Sequence, residues 1–402
     1  MKLLKQWTAV LLFAVAVCQT NRCLAKETPS ARTALDDYVQ KKDDTYSWEI
    51  VKSDTAGDMQ TFVLTMNSQT WRTKEEVDRP VWQHWVTIAV PKEIKSSTGF
   101  MFIGGGANGR NAPDGPDERT TEIARATGTV VAEIRMTPNQ PLVFNGDGQK
   151  RTEDDLIAYT WVKFLETGDA TWPARNPMVK GVVRAMDAVS ELMASEEGGK
   201  RTIDKYVVAG GSKRGWTTWL VGAVDDRVVG ISPIVIDILN LEKSMGHHFS
   251  AYGFYAPSIV DYVEHKLVQI PTHPRMPELF ALVDPYHYRH RLKMPKLVLN
   301  AAGDQFFPPD LSRHYFDDLQ GEKYLRYVPN TDHGLGNSDA LDTLVAFYSM
   351  ILAGKEGPEY SWERPAENVF HVKPVDKPKK VVLRSEERRV GKECRSRWSP
   401  YH

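Results

Sequence analysis

Val207-Val208-Ala209-Gly210-Gly211-Ser212-Lys213-Arg214-Gly215-Trp216 sets an apolar run, two glycines, a serine and the start of an amphipathic stretch side by side. A buried strand that turns through small residues directly into a helix is the setting of a nucleophile elbow, where the serine takes a strained backbone and exposes its hydroxyl. The spacing departs from G-x-S-x-G, because Arg214 stands two positions after the serine and Gly215 comes one later. A Gly-Gly-Ser turn also suits an ordinary tight connection or a phosphate cradle at a helix N-terminus. The stretch therefore needs its surroundings to decide among the three.

Outward from it, short apolar runs alternate with helical stretches. GFMFIGGG (99–106), TVVAEIRM (129–136), KYVVAGGS (205–212), VVGISPIVID (228–237), KLVLNAAGD (296–304) and YLRYVPN (324–330) read as strands. Helices are expected over 153–165, 177–193 and 339–353. Such alternation means a mostly parallel sheet with helices on both faces. Before it, YSWEIV, QTFVLTMNSQTW and WVTIAV, between Tyr46 and Pro91, are rich in aromatic and β-branched residues and read as antiparallel strands joined by polar turns. The fold class is α/β. The segment from Asn240 to Pro295 interrupts the alternation and carries His247, His248, Tyr252, Phe254, Tyr255, Tyr286, His287 and Tyr288. A connection this long has its own structure and often covers a site, so it is expected to form a helical lid, with Tyr255 and Tyr286 as substrate contacts.

α/β-Hydrolases present serine, then acid, then histidine along the chain. Asp304 follows the run KLVLNAAG and His333 follows YLRYVPNTD, so both lie just past strands with Ser212 at the carboxyl edge of one sheet. Ser212 is the expected nucleophile, His333 the base and Asp304 the group that orients it. Asp237, ending the preceding apolar run, is the competing acid, and Asp332 a weaker rival. Backbone N–H groups of Lys213 and of Gly105 and Gly106 are placed to hold an oxyanion. Arg214 is a candidate anchor for an anionic substrate, although one or both of Lys213 and Arg214 could equally pair with acids on the following helix.

Both ends of the chain differ from its middle. Residues 1–25 combine Lys2 and Lys5, an apolar run from Trp7 to Val17 and a polar stretch ending at Ala25, the layout of a cleavable export signal. That run is too short to span a bilayer, so no integral segment is expected after cleavage. Val17 argues against lipid anchoring through Cys18. Residues 384–402, RSEERRVGKECRSRWSPYH, match the translation of a sequencing adapter and are expected to be a scar. The hydrolase domain then runs over 26–355, and 356–383 begins a small β module cut short near Leu383. Nine of the 51 Lys and Arg residues and three of the 52 Asp and Glu residues lie in the two ends, so 26–383 carries a net charge of about −7. This excess of acid argues against a nucleic-acid partner. Cys18, Cys23 and Cys394 also fall in the ends, which leaves 26–383 without disulfides or thiolate metal sites. No metal or cofactor is expected: the histidine pairs 247–248 and 287 with 290 lack ligand spacing and carboxylate company, and GGGANGRNAPDG lacks a Walker or dinucleotide signature. Trp161, Trp172, Trp216 and Trp219 are expected as core anchors.

On longer blocks the chain resembles the PhoPQ-activated pathogenicity-related family from about Leu35 to Trp362. NSQTW (67–71), PNQPLVF (138–144), EDDLIAYTW (153–161), WPARNPMVKGVVRAMD (172–187), GGSKRGWTTWLVGAVDDRV (210–228), DPYHYRHRL (284–292) and GDQFFPPD (303–310) carry the resemblance. It implies an α/β-hydrolase-like fold and a link to envelope stress or resistance to cationic antimicrobial peptides, and it implies no substrate. The Gly-x-Ser-x-x-Gly spacing is also similar to that of glucuronoyl esterases, whose basic residue beside the serine helps hold the oxyanion. Two functions compete: an exported serine hydrolase acting on an ester or amide of a small-molecule, glycan or peptide substrate, and a catalytically silent binding protein using the same cleft.

Overall fold

The computed structural model describes residues 32–268, 273–367 and 369–378. Among them nine strands form one sheet: β1 (Ser47–Ala56), β2 (Met59–Thr70), β3 (Val81–Pro91), β4 (Thr98–Ile103), β5 (Val131–Ile134), β6 (Lys205–Gly211), β7 (Val228–Ile234), β8 (Lys296–Ala301) and β9 (Lys323–Val328). Their order is β1-β2-β3-β5-β4-β6-β7-β8-β9. β1, β2 and β3 pair antiparallel, β3 pairs antiparallel with β5, and every pairing from β5 to β9 is parallel.

The parallel strands read as apolar runs because both faces are covered. Along β6, Tyr206 and Val208 point into one core while Val207 and Ala209 point into the other. Along β8, Val298 joins the first core, Leu297 and Leu299 the second. Of the helices, α1 (Ala34–Gln40), α2 (Glu118–Thr127), α3 (Glu153–Thr167), α4 (Arg175–Ala194) and α5 (Lys213–Val224) precede the long insertion. The insertion supplies α6 (Leu241–Tyr252), α7 (Val260–Glu264) and α8 (Met276–Val283), and α9 (Ala340–Leu352) follows it. α1, α4 and α5 cover the first face, and α2 and α9 the second. Trp161, Trp172, Trp216 and Trp219 are all buried in the first core; truncating one to alanine there costs about 3–5 kcal/mol.

The insertion docks through buried and half-buried polar contacts. Trp216 Nε1 of α5 donates to the Val283 carbonyl at 2.6 Å, and Tyr262 of α7 donates to Asp154 of α3 at 3.0 Å. A separate antiparallel hairpin, β10 (Tyr360–Ala366) with β11 (Val369–Pro374), lies where the terminal β module was expected. The export signal, Cys18 and the 384–402 stretch lie outside the described residues, as do residues 379–383. Among the described residues no helix is long and apolar enough to cross a membrane.

Candidate active site

Ser212 sits between the end of β6 and the first residue of α5 with φ +56° and ψ −125°. That is a backbone costly for any residue with a side chain. Two crossings impose it. A Cβ on Gly210 would meet the Arg214 carbonyl oxygen at 2.8 Å, and one on Gly215 would meet the Gly210 and Ile234 oxygens at 2.8 and 2.9 Å. The helix backbone therefore rides over the strand end at these two glycines, whereas a Cβ on Gly211 would meet nothing within 4 Å. The glycine displaced to the third position after the serine is the one that the crossing requires.

The loop after β8 holds Asp304 in the edge of the fold, only 5% exposed. Its Oδ1 accepts from the N–H groups of Phe306 and Phe307 at 2.8 and 3.3 Å, and its Oδ2 lies 2.8 Å from His333 Nδ1. The Phe306 ring packs on the imidazole with centroids 4.3 Å apart. Backbone donors thus fix the carboxylate, and the carboxylate with an aromatic face fixes the histidine. Asp237 after β7 differs. Its carboxyl accepts from the Tyr315 hydroxyl at 2.7 Å and from the Tyr327 hydroxyl, and burial, partly offset by these bonds, pushes it up to about 6. As the alternative acid it turns both oxygens to phenols and makes no hydrogen bond to His333 among the described contacts. Asp332 is exposed and accepts from Gly334 N–H at 3.0 Å, capping its own turn.

Ser212 and His333 share the same edge without a direct hydrogen bond among the described contacts. Phe306 and Phe307, which flank His333, line a cavity with Ser212. Gly211, Gly104, Gly105 and Arg214 line a wider cleft of about 500 Å³ with His333. The Ser212 cavity is narrow, about 60 Å³, and largely apolar. The insertion contributes Leu241, Met245, Ile259, Tyr262, Leu267, Val268 and Phe280 to its wall. Tyr255 and Tyr286 are absent from that wall. The Tyr255 hydroxyl donates to the Val268 carbonyl at 2.6 Å, and the Tyr286 hydroxyl donates to Asp318 at 2.6 Å. Both expected substrate contacts thus stand outside the wall of this cavity, with their hydroxyls bonded within the protein.

Arg214 also takes a different place from the substrate anchor expected of it. Its Nε donates to the Thr137 carbonyl at 2.6 Å, and its two terminal nitrogens reach Glu153 of α3 at 2.9 and 2.6 Å. Lys213 Nζ lies 2.7 Å from Glu153 and 3.1 Å from Asp154. Burial would raise the Glu153 carboxyl, but Arg214 and Lys213 outweigh it and hold it at about 2. Gln140 Nε2 donates to the Gly106 carbonyl at 3.1 Å, and Gln140 Oε1 accepts from Glu153 N–H at 2.7 Å. A Cβ on Gly105 would come within 2.8 Å of the guanidinium. The basic residue at the usual glycine position thus ties the glycine loop, the 137–140 loop and the elbow together. These partners lie some sixty residues apart in the chain, and no local spacing announces them.

Sequence comparison bears on this geometry. The PhoPQ-activated pathogenicity-related protein family matches residues 35–392. The chain belongs to that family. Autocrine proliferation repressor protein A of Dictyostelium discoideum is 41% identical over 341 residues, covering 82% of this chain and 67% of that protein. Among solved structures, acetyl xylan esterase 1 of a Thermoanaerobacterium species superposes with a TM-score of 0.53 at 15% identity, covering 79% of this chain and 93% of that one. An acetyl xylan esterase of a Paenibacillus species gives 0.53 at 14% identity, covering 80% and 95%. At such identities the likeness shows the fold, and this family member has the α/β-hydrolase fold with its mostly parallel nine-stranded sheet.

Proposed function

We propose that the chain is a serine hydrolase of ester or amide bonds, with Ser212 as nucleophile, His333 as base and Asp304 as its orienting acid. The observation that carries this is the 2.8 Å bond between His333 and a carboxylate already fixed by two backbone N–H groups, on the same sheet edge as a serine in a strained elbow. A serine hydroxyl is a weak nucleophile without a positioned base. In the proposed reaction Ser212 Oγ attacks the carbonyl carbon and its proton passes to His333 Nε2. The Nδ1–H donates to Asp304 Oδ2, which stabilises the imidazolium.

The oxyanion is held by the N–H of Lys213 with that of Gly105 or Gly106, and the Glu153–Arg214 tie keeps the two donor segments in register. The tetrahedral intermediate collapses as His333 returns the proton to the leaving group. Water then attacks the acyl-serine by the same steps, which restores the free hydroxyl. The esterase names of the two structural relatives favour an ester of a small molecule or glycan over an amide.

The leader-like residues 1–25 support action outside the cytoplasm, and the family name supports a role under envelope stress, including resistance to antimicrobial peptides. N-terminal sequencing of protein recovered from producing cells tests export, with a start near residue 26 expected and an intact Met1 contradicting it. The second reading, a silent binding protein, is favoured by Arg214 in place of the elbow glycine and by the absence of a Ser212–His333 hydrogen bond among the described contacts. A fluorophosphonate separates the two: it should modify Ser212 in the hydrolase, and an unmodified serine would favour the binding protein.

A further inference from the structure

Two cations, Lys213 and Arg175, and one carboxylate, Asp154, line the Ser212 cavity. Glu153 takes Arg214 with both oxygens, and Lys213 lies between Glu153 and Asp154. Arg175, at the start of α4, is only 1% exposed. Among the described residues no carboxylate lies within ion-pair distance of it. Its NH1 donates to the Lys213 carbonyl at 2.8 Å, its guanidinium carbon lies 4.2 Å over the Trp216 ring, and its Nε is buried with no hydrogen-bond partner. Asp154 attracts it from beyond ion-pair distance, across the Tyr262 hydroxyl that bonds to both. Burying a guanidinium without a direct ion pair costs more than one cation–π contact returns. A carboxylate brought by a ligand would supply that direct partner, and the planar fork of arginine matches its two oxygens.

We propose that this cavity is an anion subsite in which Arg175 binds a carboxylate carried by the substrate a few atoms from the carbonyl presented to Ser212. This rests on the hydrolase reading of the same site. At roughly 10–15 Å³ for each water-sized occupant, a cavity of about 60 Å³ takes a carboxylate with one or two carbons. Half-esters of short dicarboxylic acids, such as succinate, have that shape. The apolar wall, including Ile236 and Phe280, excludes water and strengthens the charge pair.

The test uses the full chain and two nearly isosteric esters with a poor leaving group, monoethyl succinate and ethyl 4-methylpentanoate, together with succinate itself as a ligand. The half-ester should be hydrolysed with about 10- to 100-fold higher kcat/KM, the range expected of a charge-assisted hydrogen bond. Arg175→Gln should remove that preference mainly through KM, and Arg175→Lys should restore part of it. Succinate should raise the Tm of wild type and leave that of Arg175→Gln unchanged. A purely structural arginine would lower turnover of both esters equally, and that result overturns the proposal. If the variant does not fold, wild type decides alone: equal rates on the two esters and no succinate-induced Tm shift refute the subsite while the hydrolase stands. An unreactive Ser212 with an Arg175-dependent Tm shift would reject the hydrolase and keep the subsite.

Discussion

Two neighbouring strands of the sheet end in an aspartate, and the two aspartates do different work. Asp304, after β8, has one oxygen fixed by backbone N–H groups and turns the other to His333. Asp237, after β7, is 2% exposed and bonded to the hydroxyls of Tyr315 and Tyr327. Residue type and strand-end position are the same in both. What separates them is the partner that later segments supply, His333 from beyond β9 or the phenols of Tyr315 and Tyr327 in the interior. The assignment of the acid therefore follows from contacts, and it can be attacked from either side.

The largest effect is expected at Asp304. Asp304→Asn should lower kcat/KM on a phenyl ester by about 10³–10⁴-fold with little change in fold, since an amide cannot stabilise the imidazolium and favours the wrong tautomer. Steady-state kinetics beside a circular dichroism spectrum read this, and a larger loss in Asp237→Asn would reverse the assignment.

A third carboxylate sharpens the comparison, because Glu153 holds the loops of the proposed oxyanion site and touches no reacting group in the mechanism. Glu153→Gln should cost about 1–2 kcal/mol in urea unfolding. That is below the range for a fully buried pair, because the Glu153 side chain keeps 39% exposure. It should also slow turnover by about tenfold as the loop loosens.

The smallest kinetic effect belongs to Asp237→Asn, expected within about threefold of wild type because its hydrogen bonds go to Tyr315 and Tyr327 and it reaches Asp304 only through its charge. Its signature lies in stability. A carboxyl raised to about 6 in the fold from about 3.9 in the unfolded chain means that the folded state holds the proton more tightly. The associated stability is present below pH 4 and is lost as pH rises through 6. Between those values wild type should lose on the order of 3 kcal/mol relative to Asp237→Asn in paired unfolding curves. Parallel curves would show that the group is not shifted.

Much of the fold was legible because strands buried on both faces must read as apolar runs, as Val207–Ala209 and Leu297–Leu299 do. α2 was not expected. Its sequence ERTTEIARAT buries only Ile123, Ala124 and two threonines, so its apolar stripe is thin, although Asp117 as N-cap and Gly128 as a left-handed C-cap were readable signals. The order of Ser212, Asp304 and His333 was legible because each follows a strand. The Glu153–Arg214 tie and Arg175 were not, because their partners are distant in the chain. Aromatic composition showed that the insertion suits a cleft, but not that Tyr262 and Phe280 rather than Tyr255 and Tyr286 face it.

Whether Ser212 and His333 act as one unit is tested most directly by a double-mutant comparison. Initial rates of phenyl ester hydrolysis are measured for Ser212→Ala, His333→Ala and the double variant, each checked for an unchanged Tm. Groups that work together in one step show strongly non-additive losses. Each single variant should lose about 10³-fold or more, and the double variant should fall little further. Losses that multiply, or full activity in Ser212→Ala, would contradict the account.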